Sequence, residues 1–474
     1  MSEAAQFGAI VLIVAGGFLA AVAMTKQTEW FPVPGPALFL LVAAVASDIF
    51  PGLSALSIKN VERIGVVALI VILFDGGMHV GWRRFRAAAL PITALGVIGT
   101  FATAAVVAVL AHWLLDFGWI PSGFLGAALA PTDPAVMFSV LGKREIRGRA
   151  GTILEGESGV NDPVAIVLVI GILDLAKHPD ASFWVVVEDF LVESSVGLVL
   201  GLVGALLLLP LMRRISLANT ALYPLQALAF AGVVYGVTTV AHGSGFLAVF
   251  VAGILVGDAR APFKGDIERF SMSLASLAEI VVFTMLGLTV DITSLGDESV
   301  WLDGLLLAAL LAVLVRPLAC GPLLLPVRLR WGERAFVLWG GLKGAVPILI
   351  GALVLLDHGA EGDRIYGLVF VVVALSVLVQ GTSLPLLAPR LGVPMHDIPA
   401  HGTRQFAVAP GSRAAGAPIR DLPLSKNAWV AAVVRKGAEL PVHGRLTLEP
   451  ADHVMLVLDV EDMAALERLF ASQS

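Results

Sequence analysis

The sequence predicts an all-α polytopic membrane protein of about thirteen transmembrane helices, followed by a small α+β module at its carboxyl end. Three observations predict this. The 474-residue chain is 58% hydrophobic and only 14% charged, whereas a soluble domain carries about 25% charged residues. Its apolar runs are long and do not alternate, which suits spanning helices and not barrel strands. After about residue 390 the runs become short, with turn residues between them.

Thirteen runs lie near the roughly 20 residues a helix needs to cross a bilayer: 7–25, 31–48, 62–81, 87–115, 120–140, 151–176, 183–211, 219–241, 244–258, 268–292, 299–322, 333–356 and 365–388. The first could pass for a signal peptide, because Ala-Val-Ala before Met24 is a cleavage-like pattern. However, its leading segment has no Lys or Arg and carries Glu3, so it reads as a retained span. The loops test the count. One alternate set holds Lys26, Arg83, Arg84, Arg86, Lys143, Arg144, Arg147, Arg149, Arg213, Arg214, Arg260, Lys264, Arg269, Arg328, Arg330, Arg334 and Arg390; the other holds Lys59, Arg63, Lys177 and Arg364. That is seventeen against four, which places the amino terminus outside and the carboxyl terminus in the cytoplasm.

The chain therefore divides into a transmembrane domain over 1–390, a linker over 391–402 and a cytoplasmic module over 403–474. In the module, WVAAVV (429–434) and HVMLVLDV (453–460) precede a helix-like stretch, Glu461 to Ser472. The single cysteine, Cys320, excludes a disulfide framework and a thiolate metal site. The basic residues are scattered, so nothing points to nucleic acid.

Polar residues at bilayer depth carry the functional signal: Asp75, Thr132, Asp133, Glu155, Glu157, Ser158, Asn161, Asp162, Glu279, Arg316 and Lys343. An ionisable group there costs about 2.5 kcal/mol or more on insertion scales. So many of both signs favour an ion pathway. In the sixth span, Ser158 and Asp162 stand four residues apart and Glu155 seven before Asp162, so all three share a face. Glu157 points about 140° away, toward a positive residue on a neighbouring helix. Glu155 lines an access funnel or is a first-turn acid at the helix amino end.

Two spans are interrupted. The fifth holds Pro131-Thr132-Asp133-Pro134, in which Asp133 and Pro134 match an N-cap and first helical residue. The twelfth holds GGLKGAVP (340–347). Broken helices expose dipole ends at depth, and Asp133 suits positive amino ends as Lys343 suits negative carboxyl ends. The breaks are seven spans apart, so those spans run in opposite directions. This is the pattern of an inverted repeat, spans 1–6 against 8–13, with an ion site at the midplane.

The residues resemble the cation–proton antiporter family, in the branch of bacterial NhaP-type antiporters and animal Na+/H+ exchangers. The resemblance covers about residues 8–390. It rests on FDGG (74–77), APTDPA (130–135), LEGESGVNDPVA (154–165), EIVVFTMLGLTV (279–290), Arg316-Pro317 and GGLKGAVPI (340–348). It implies a core domain moving against a dimerisation domain, with the fifth and twelfth spans crossing near the ion. It makes Asp162 the principal ion- and proton-binding carboxylate, with Ser158, Thr132 (through its carbonyl) and Asp75 as further ligands of the monovalent cation. Relatives often have Glu in place of Asp75. Asn161 and Asp133 stabilise the crossing, and Glu157 with Arg316 forms a structural ion pair between the sixth and eleventh spans. Lys343 replaces the usual arginine and loses its planar fork.

Residues 403–474 resemble the carboxyl-terminal half of the regulator-of-potassium-conductance module, TrkA-C, through APIRDLPL (417–424), WVAAVVRKGAELPV (429–442) and LEPADHVMLVL (448–458). Relatives commonly have Gly where this chain has Ala451. Together the two parts look like a potassium/proton antiporter of the bacterial inner membrane. The resemblance implies a homodimer and a tail that in some relatives binds a nucleotide; no ligand or cofactor is legible here. The expected activity is electroneutral exchange of K+, or alternatively Na+, for H+, because Asn161 supplies no second titrating group beside Asp162. Hard oxygen ligands suit an alkali cation. A channel should show a filter such as TVGYG. An intramembrane protease should show a GxGD-like, HExxH or GxSxG context, and an ATP-driven pump a P-loop. The sequence has none of these, so an enzyme is not expected. A sodium-coupled symporter of similar fold is the nearer rival.

Overall fold

The computed structural model describes residues 34–49, 58–133, 136–137, 141, 144–146, 148–177, 183–214, 219, 221–259, 264–290, 292, 295, 299–397, 402–424, 429–435, 438–440, 442, 444–458 and 469–471, with Gly8, Leu12, Gly16 and Leu19 before them. The first expected span lies outside the described residues apart from those four positions. The other twelve each have helical counterparts.

In chain order these are α1 (Gly35–Ile49), α2 (Ile58–Ala87), α3 (Ala89–Leu114), α4 (Trp119–Leu129), α5 (Arg149–Lys177), α6 (Phe183–Arg214), α7 (Leu222–Val240), α8 (Gly245–Gly257), α9 (Lys264–Thr289), α10 (Val300–Leu324), α11 (Trp331–Trp339), α12 (Ala345–Leu355) and α13 (Glu361–Arg390). Among the described residues, eight helices are long and apolar enough to cross a membrane. The fifth span is represented by α4 and the break after it, and the twelfth by α11 and α12. Both breaks therefore follow a short helix, of 11 and 9 residues respectively. The repeat shows again in α3 and α10, the fourth and eleventh spans. Each contains a π-helical turn, at Ala94–Gly99 and Leu311–Val315. A third lies at Ser376–Gly381 in α13.

The helices bury glycine and alanine faces against one another and leave larger apolar side chains outside. Leu198, Leu202 and Leu206 of α6 and Val233 and Val237 of α7 are exposed, as lipid-facing helices require. Small residues let backbones approach closely. A Cβ on Gly77 would lie 2.5 Å from the Phe250 carbonyl oxygen, and one on Gly253 would lie 2.5 Å from that of Phe74. Thus α2 and α8 meet backbone to backbone beside Asp75.

The chain forms two compact units, Met1–Met395 and His396–Ser474. In the second, β1 (Gly402–Ala407), β2 (Trp429–Arg435), β3 (Ala438–Leu440) and β4 (His453–Leu458) form an antiparallel sheet in the order β1-β4-β2-β3. Its core gathers Val408, Val433, Leu448, Val454, Leu456, Leu469 and Phe470. Of the expected terminal helix, only Leu469 to Ala471 lie among the described residues.

The turn into β4 is clasped by Asp452, whose carboxylate accepts two hydrogen bonds from Arg435, both 2.8 Å, and one from the Glu449 amide, 2.8 Å. The Arg435 guanidinium holds that carboxyl below the usual carboxylate range, so the clasp is intact at neutral pH. Ala451 beside it has φ 73°, which costs a non-glycine residue about 1–2 kcal/mol. This is why glycine suits the position. Ala451→Gly is expected to raise the stability of this unit by about 1 kcal/mol, measured in the full chain as slower hydrogen exchange of the β4 amides.

Candidate ion-exchange site

The site is built where the two breaks meet. Helix α4 ends at Leu129 and the chain runs on through Pro131, Thr132 and Asp133 without helix. Helix α11 ends at Trp339, and Gly340 to Gly344 connect it to α12. The Asp133 amide donates to the Leu342 carbonyl at 2.8 Å, joining the two breaks backbone to backbone. Each break then caps the other. Lys343 Nζ donates to the carbonyls of Ala130, 3.1 Å, and Pro131, 3.0 Å, at the carboxyl end of α4. Asp133 Oδ2 accepts from the Ala345 amide at 3.4 Å, at the amino end of α12. A charge of the right sign thus sits on each exposed dipole end.

The sequence reading assigned Asp133 to the half-helix opened by Pro134. Pro134 lies outside the described residues, and the cap the structure shows is on the partner break. Glycine is required there, because a Cβ on Gly344 would collide with the Asp133 carboxylate. Lys343 holds two carbonyls as a point charge, with no need of a planar fork. Its amide donates to Ser376 Oγ, 3.0 Å. Ser376 donates to Gln380 Oε1, 2.7 Å, and Gln380 Nε2 donates to the Trp339 carbonyl, 3.2 Å. This chain satisfies the end of α11.

Helix α5 passes the crossing with its polar face inward. Ser158 Oγ donates to the Thr132 carbonyl at 2.6 Å, and Asn161 Nδ2 donates to Thr132 Oγ1 at 2.8 Å. Asp162, one turn beyond Ser158, is 6% exposed, and the neighbouring charges acting on it are Asp133 and Lys343. Asp162 stands one turn beyond Ser158 on α5, and Ser158 meets the Thr132 carbonyl; carboxylate, hydroxyl and carbonyl oxygens are hard donors of the kind that suit an alkali cation. Among the described residues no group of three or more His, Cys, Asp or Glu suits a resident metal.

Glu157 points the other way, as its spacing predicted. It forms a buried bidentate pair with Arg316, at 2.9 and 3.0 Å. Arg316 also donates to the carbonyls of Leu338, 2.9 Å, and Val337, 3.2 Å, so the pair fastens α5 and α10 to the last turn of α11.

Asp75 is placed differently from Ser158 and Thr132. Its partner is His79, one turn on, with Nδ1 3.3 Å from Oδ2, and Oδ1 is enclosed without a hydrogen bond among the described residues. No described contact joins Asp75 to Asp162, Ser158 or Thr132. Glu155 lies 3.8 Å from Arg84. Because α5 begins at Arg149, Glu155 belongs to its second turn and not its first, which removes the first-turn reading. The sequence reading missed His79, Ser376 and Gln380. The spacing of Asp75 and His79, four apart, and two polar residues in the last apolar run were the signals available.

Comparisons with known proteins bear on the family and the fold. Residues 17–389 match the family described as "Sodium/hydrogen exchanger, transmembrane", and residues 403–471 match the TrkA-C domain. The chain is 35% identical over 396 residues to the K(+)/H(+) antiporter NhaP of Alkalimonas amylolytica, covering 82% of this chain and 68% of the relative. It is 30% identical over 477 residues to the K(+)/H(+) antiporter NhaP2 of Shewanella sp. (strain ANA-3), covering 96% and 82%. It is 28% identical over 347 residues to the Na(+)/H(+) antiporter NhaP of Pseudomonas aeruginosa, covering 68% and 80%. The fold is similar to that of the sodium proton antiporter MjNhaP1 from Methanocaldococcus jannaschii at pH 8, with a TM-score of 0.70 at 23% identity over 82% of this chain and 99% of that one.

Proposed function

The chain belongs to the sodium/hydrogen exchanger family, and from that premise we propose that it exchanges one K+ for one H+ per cycle, both competing for Asp162. The observation that carries this is the placing of Asp162 one turn beyond Ser158 on α5, where Ser158 meets the Thr132 carbonyl, with the neutral Asn161 and not a second carboxylate beside it. The cation sheds water and takes the Asp162 carboxylate, the Ser158 hydroxyl and the Thr132 carbonyl, with Asp75 reaching the site in a cation-bound arrangement. The proton takes the same carboxylate and removes its charge. Asn161 holds Thr132 and titrates nothing, so one charge leaves for each that enters. Asn161, Asp133 and Lys343 keep the crossing in shape, and Glu157 with Arg316 anchors it.

K+ is favoured because two of the most similar relatives carry that ion in their names and because the tail matches TrkA-C. The second reading, Na+, has the Pseudomonas aeruginosa relative behind it. The charge asymmetry of the loops supports an amino terminus outside and a cytoplasmic tail in a bacterial inner membrane. A homodimer, with the tail as a regulatory module taking a small ligand, completes the reading.

Dequenching of a pH-sensitive dye in everted vesicles, with K+ and Na+ added separately, tests it. Half-maximal dequenching is expected at roughly tenfold less K+ than Na+, a preference of about 1.4 kcal/mol. Equal responses would overturn the K+ preference, and no response to either ion would overturn the exchange.

A further inference from the structure

The helices of the membrane domain pack as two bundles. One gathers α1, α2, α7, α8 and α9, the other α3, α4, α5 and α10 to α13, and α6 touches both. Thr132, Ser158, Asp162 and Lys343 belong to the second bundle and Asp75 to the first. Where one buried site serves both sides of a membrane, one bundle moves against the other around it. Side-chain bonds that cross between the bundles are the ones such a motion has to break.

Tyr366 lies in the second turn of α13, remote from Arg390, and Thr289 is the last residue of α9, remote from Lys264. Their hydroxyl oxygens are 2.5 Å apart. What else Thr289 does fixes the direction of this bond. Thr289 donates to the Leu286 carbonyl at 2.9 Å, which uses its one proton, so Tyr366 is the donor. Tyr366 is 5% exposed, and a tyrosine hydroxyl so buried needs a partner. Each end of the bond is held inside its own bundle. On the α9 side, Ser47 Oγ of α1 lies 3.4 and 3.3 Å from the Gly287 and Val290 carbonyls, and Asp48 accepts from the Ile292 amide at 3.2 Å. A Cβ on Gly287 would collide with the Leu40 carbonyl oxygen. On the α13 side, a Cβ on Gly351 would lie 3.1 Å from Tyr366 Cδ2, so the ring rests on α12. That point is about 9 Å along the helix from Ala345, whose amide Asp133 accepts. Two residues before Tyr366, Arg364 donates within its own bundle to Asp303 of α10 at 3.1 Å and lies 4.4 Å from the centre of the Phe117 ring. At the opposite end the bundles meet through Arg84 of α2 and Glu155 of α5, 3.8 Å apart, with the Arg84 side chain half-exposed. A pair open to water contributes little, whereas the Tyr366 bond is enclosed.

We propose that the Tyr366–Thr289 bond is a latch between the bundles, which holds this end shut and so sets how often the ion site opens toward it. This rests on the exchange reading above. Tyr366 touches neither transported ion and is a positioning residue. With its ring on α12 and its hydroxyl on α9, it ties the half-helix that Asp133 caps to the bundle that carries Asp75. When the bundles part, the phenol exchanges Thr289 for water, while Thr289 keeps its bond to Leu286. The shut arrangement is favoured by the worth of one buried neutral hydrogen bond, on the order of fivefold in population.

The test measures half-saturating K+ at each face, with equal pH on both sides, from dye-reported proton flux in membrane vesicles of the two orientations. Trypsin cleavage beyond Met395 marks the face on which α13 ends. Tyr366→Phe keeps the ring on α12 and removes only the hydroxyl. Without the latch, opening at the Tyr366 end is more populated. Half-saturating K+ at the face remote from the end of α13 should then fall relative to the other face, changing their ratio on the order of fivefold. Thr289→Val removes the acceptor and should change the ratio in the same direction. Thr289→Ser keeps the acceptor and should stay within about twofold of wild type. The double variant, Tyr366→Phe with Thr289→Val, should go no further than the larger single change. An unchanged or reversed ratio in the Phe variant would overturn the proposal. So would an equal rise at both faces, which marks a merely structural role, or a Ser variant shifted as far as the Val variant. If the Phe variant does not fold, coincident ratios for the Val and Ser variants overturn it. If wild type moves no protons in response to K+ or Na+, the exchange reading fails. Hydrogen exchange in detergent then decides on the latch separately: amides in the last turn of α9 should exchange on the order of fivefold faster in the Phe variant than in wild type, and equal rates would overturn the latch.

Discussion

Asp162→Asn is expected to abolish cation-driven proton exchange while leaving the protein folded. Asparagine has the shape of aspartate, so the packing of α5 and the bonds of Ser158 and Asn161 to Thr132 are undisturbed. What is lost is the negative charge and the group that takes the proton. A carboxylate about 4 Å from a monovalent cation is worth roughly 4 kcal/mol at an effective dielectric constant of 20. This corresponds to about a thousandfold in cation affinity. On the proposed reading the same group holds the proton, so no compensating proton movement should remain. The measurement is dye-reported proton flux in proteoliposomes after a pulse of K+ or Na+, beside thermal unfolding of the same preparation. Exchange surviving at more than about a tenth of the wild-type rate, on the scale used for mutant kinetics, would exclude Asp162 as the shared carboxylate.

The second large effect is on stability. Glu157 and Arg316 pair with side chains 2% and 5% exposed. Removing one partner of such a pair leaves a charge uncompensated and costs about 3–5 kcal/mol. The two single changes should differ. Glu157→Gln strands the guanidinium but leaves its bonds to Leu338 and Val337. Arg316→Met strands the carboxylate and also uncaps α11, so its loss should be the larger. Replacing both, Glu157→Leu with Arg316→Met, should recover part of the loss, since an apolar pair carries no desolvation cost. The unfolding midpoint in detergent and the monodisperse fraction on gel filtration give the answer. A double variant as unstable as the sum of the singles would show that the two residues act independently.

The parts legible in the sequence were those in which chemistry and periodicity agree. Asp133 and Lys343 announced themselves because a proline and a run of glycines break apolar runs where charge is otherwise excluded. The 140° offset separated Glu157 from Asp162 because α5 runs unbroken between them. The illegible parts depend on what stands opposite in space. Asp133 has a proline after it, and local capping rules speak only of its own half-helix; the bond it accepts from the Ala345 amide at the amino end of α12 comes from the crossing. The π turns in α3, α10 and α13 leave no mark, since an extra residue in an apolar run is still apolar. The setting of Asp75 was hidden because a motif names a residue without naming the neighbour that turns toward it. Glu279 was visible as an acid in a span, but that its Oε1 is enclosed with no hydrogen-bond partner among the described residues is a property of the packed protein alone.

The reciprocal capping of the breaks also bears on how the protein is made. Lys343 reaches a carbonyl 213 positions earlier. At about 5–20 residues per second, the fifth span is complete roughly 10–40 s before its partner leaves the ribosome. During that time the carbonyls of Ala130 and Pro131 and the carboxylate of Asp133 are without the groups that later satisfy them. Polar backbone left unsatisfied in hydrocarbon costs several kcal/mol per group, so the fifth span cannot rest in lipid in its final form. It has to wait in a wetter or protein-lined setting until the second half of the chain arrives. The crossing is therefore a product of late assembly, and a nascent chain that stops short of the twelfth span carries Asp162 without Lys343 and the amino end of α12 to hold the break beside it in shape.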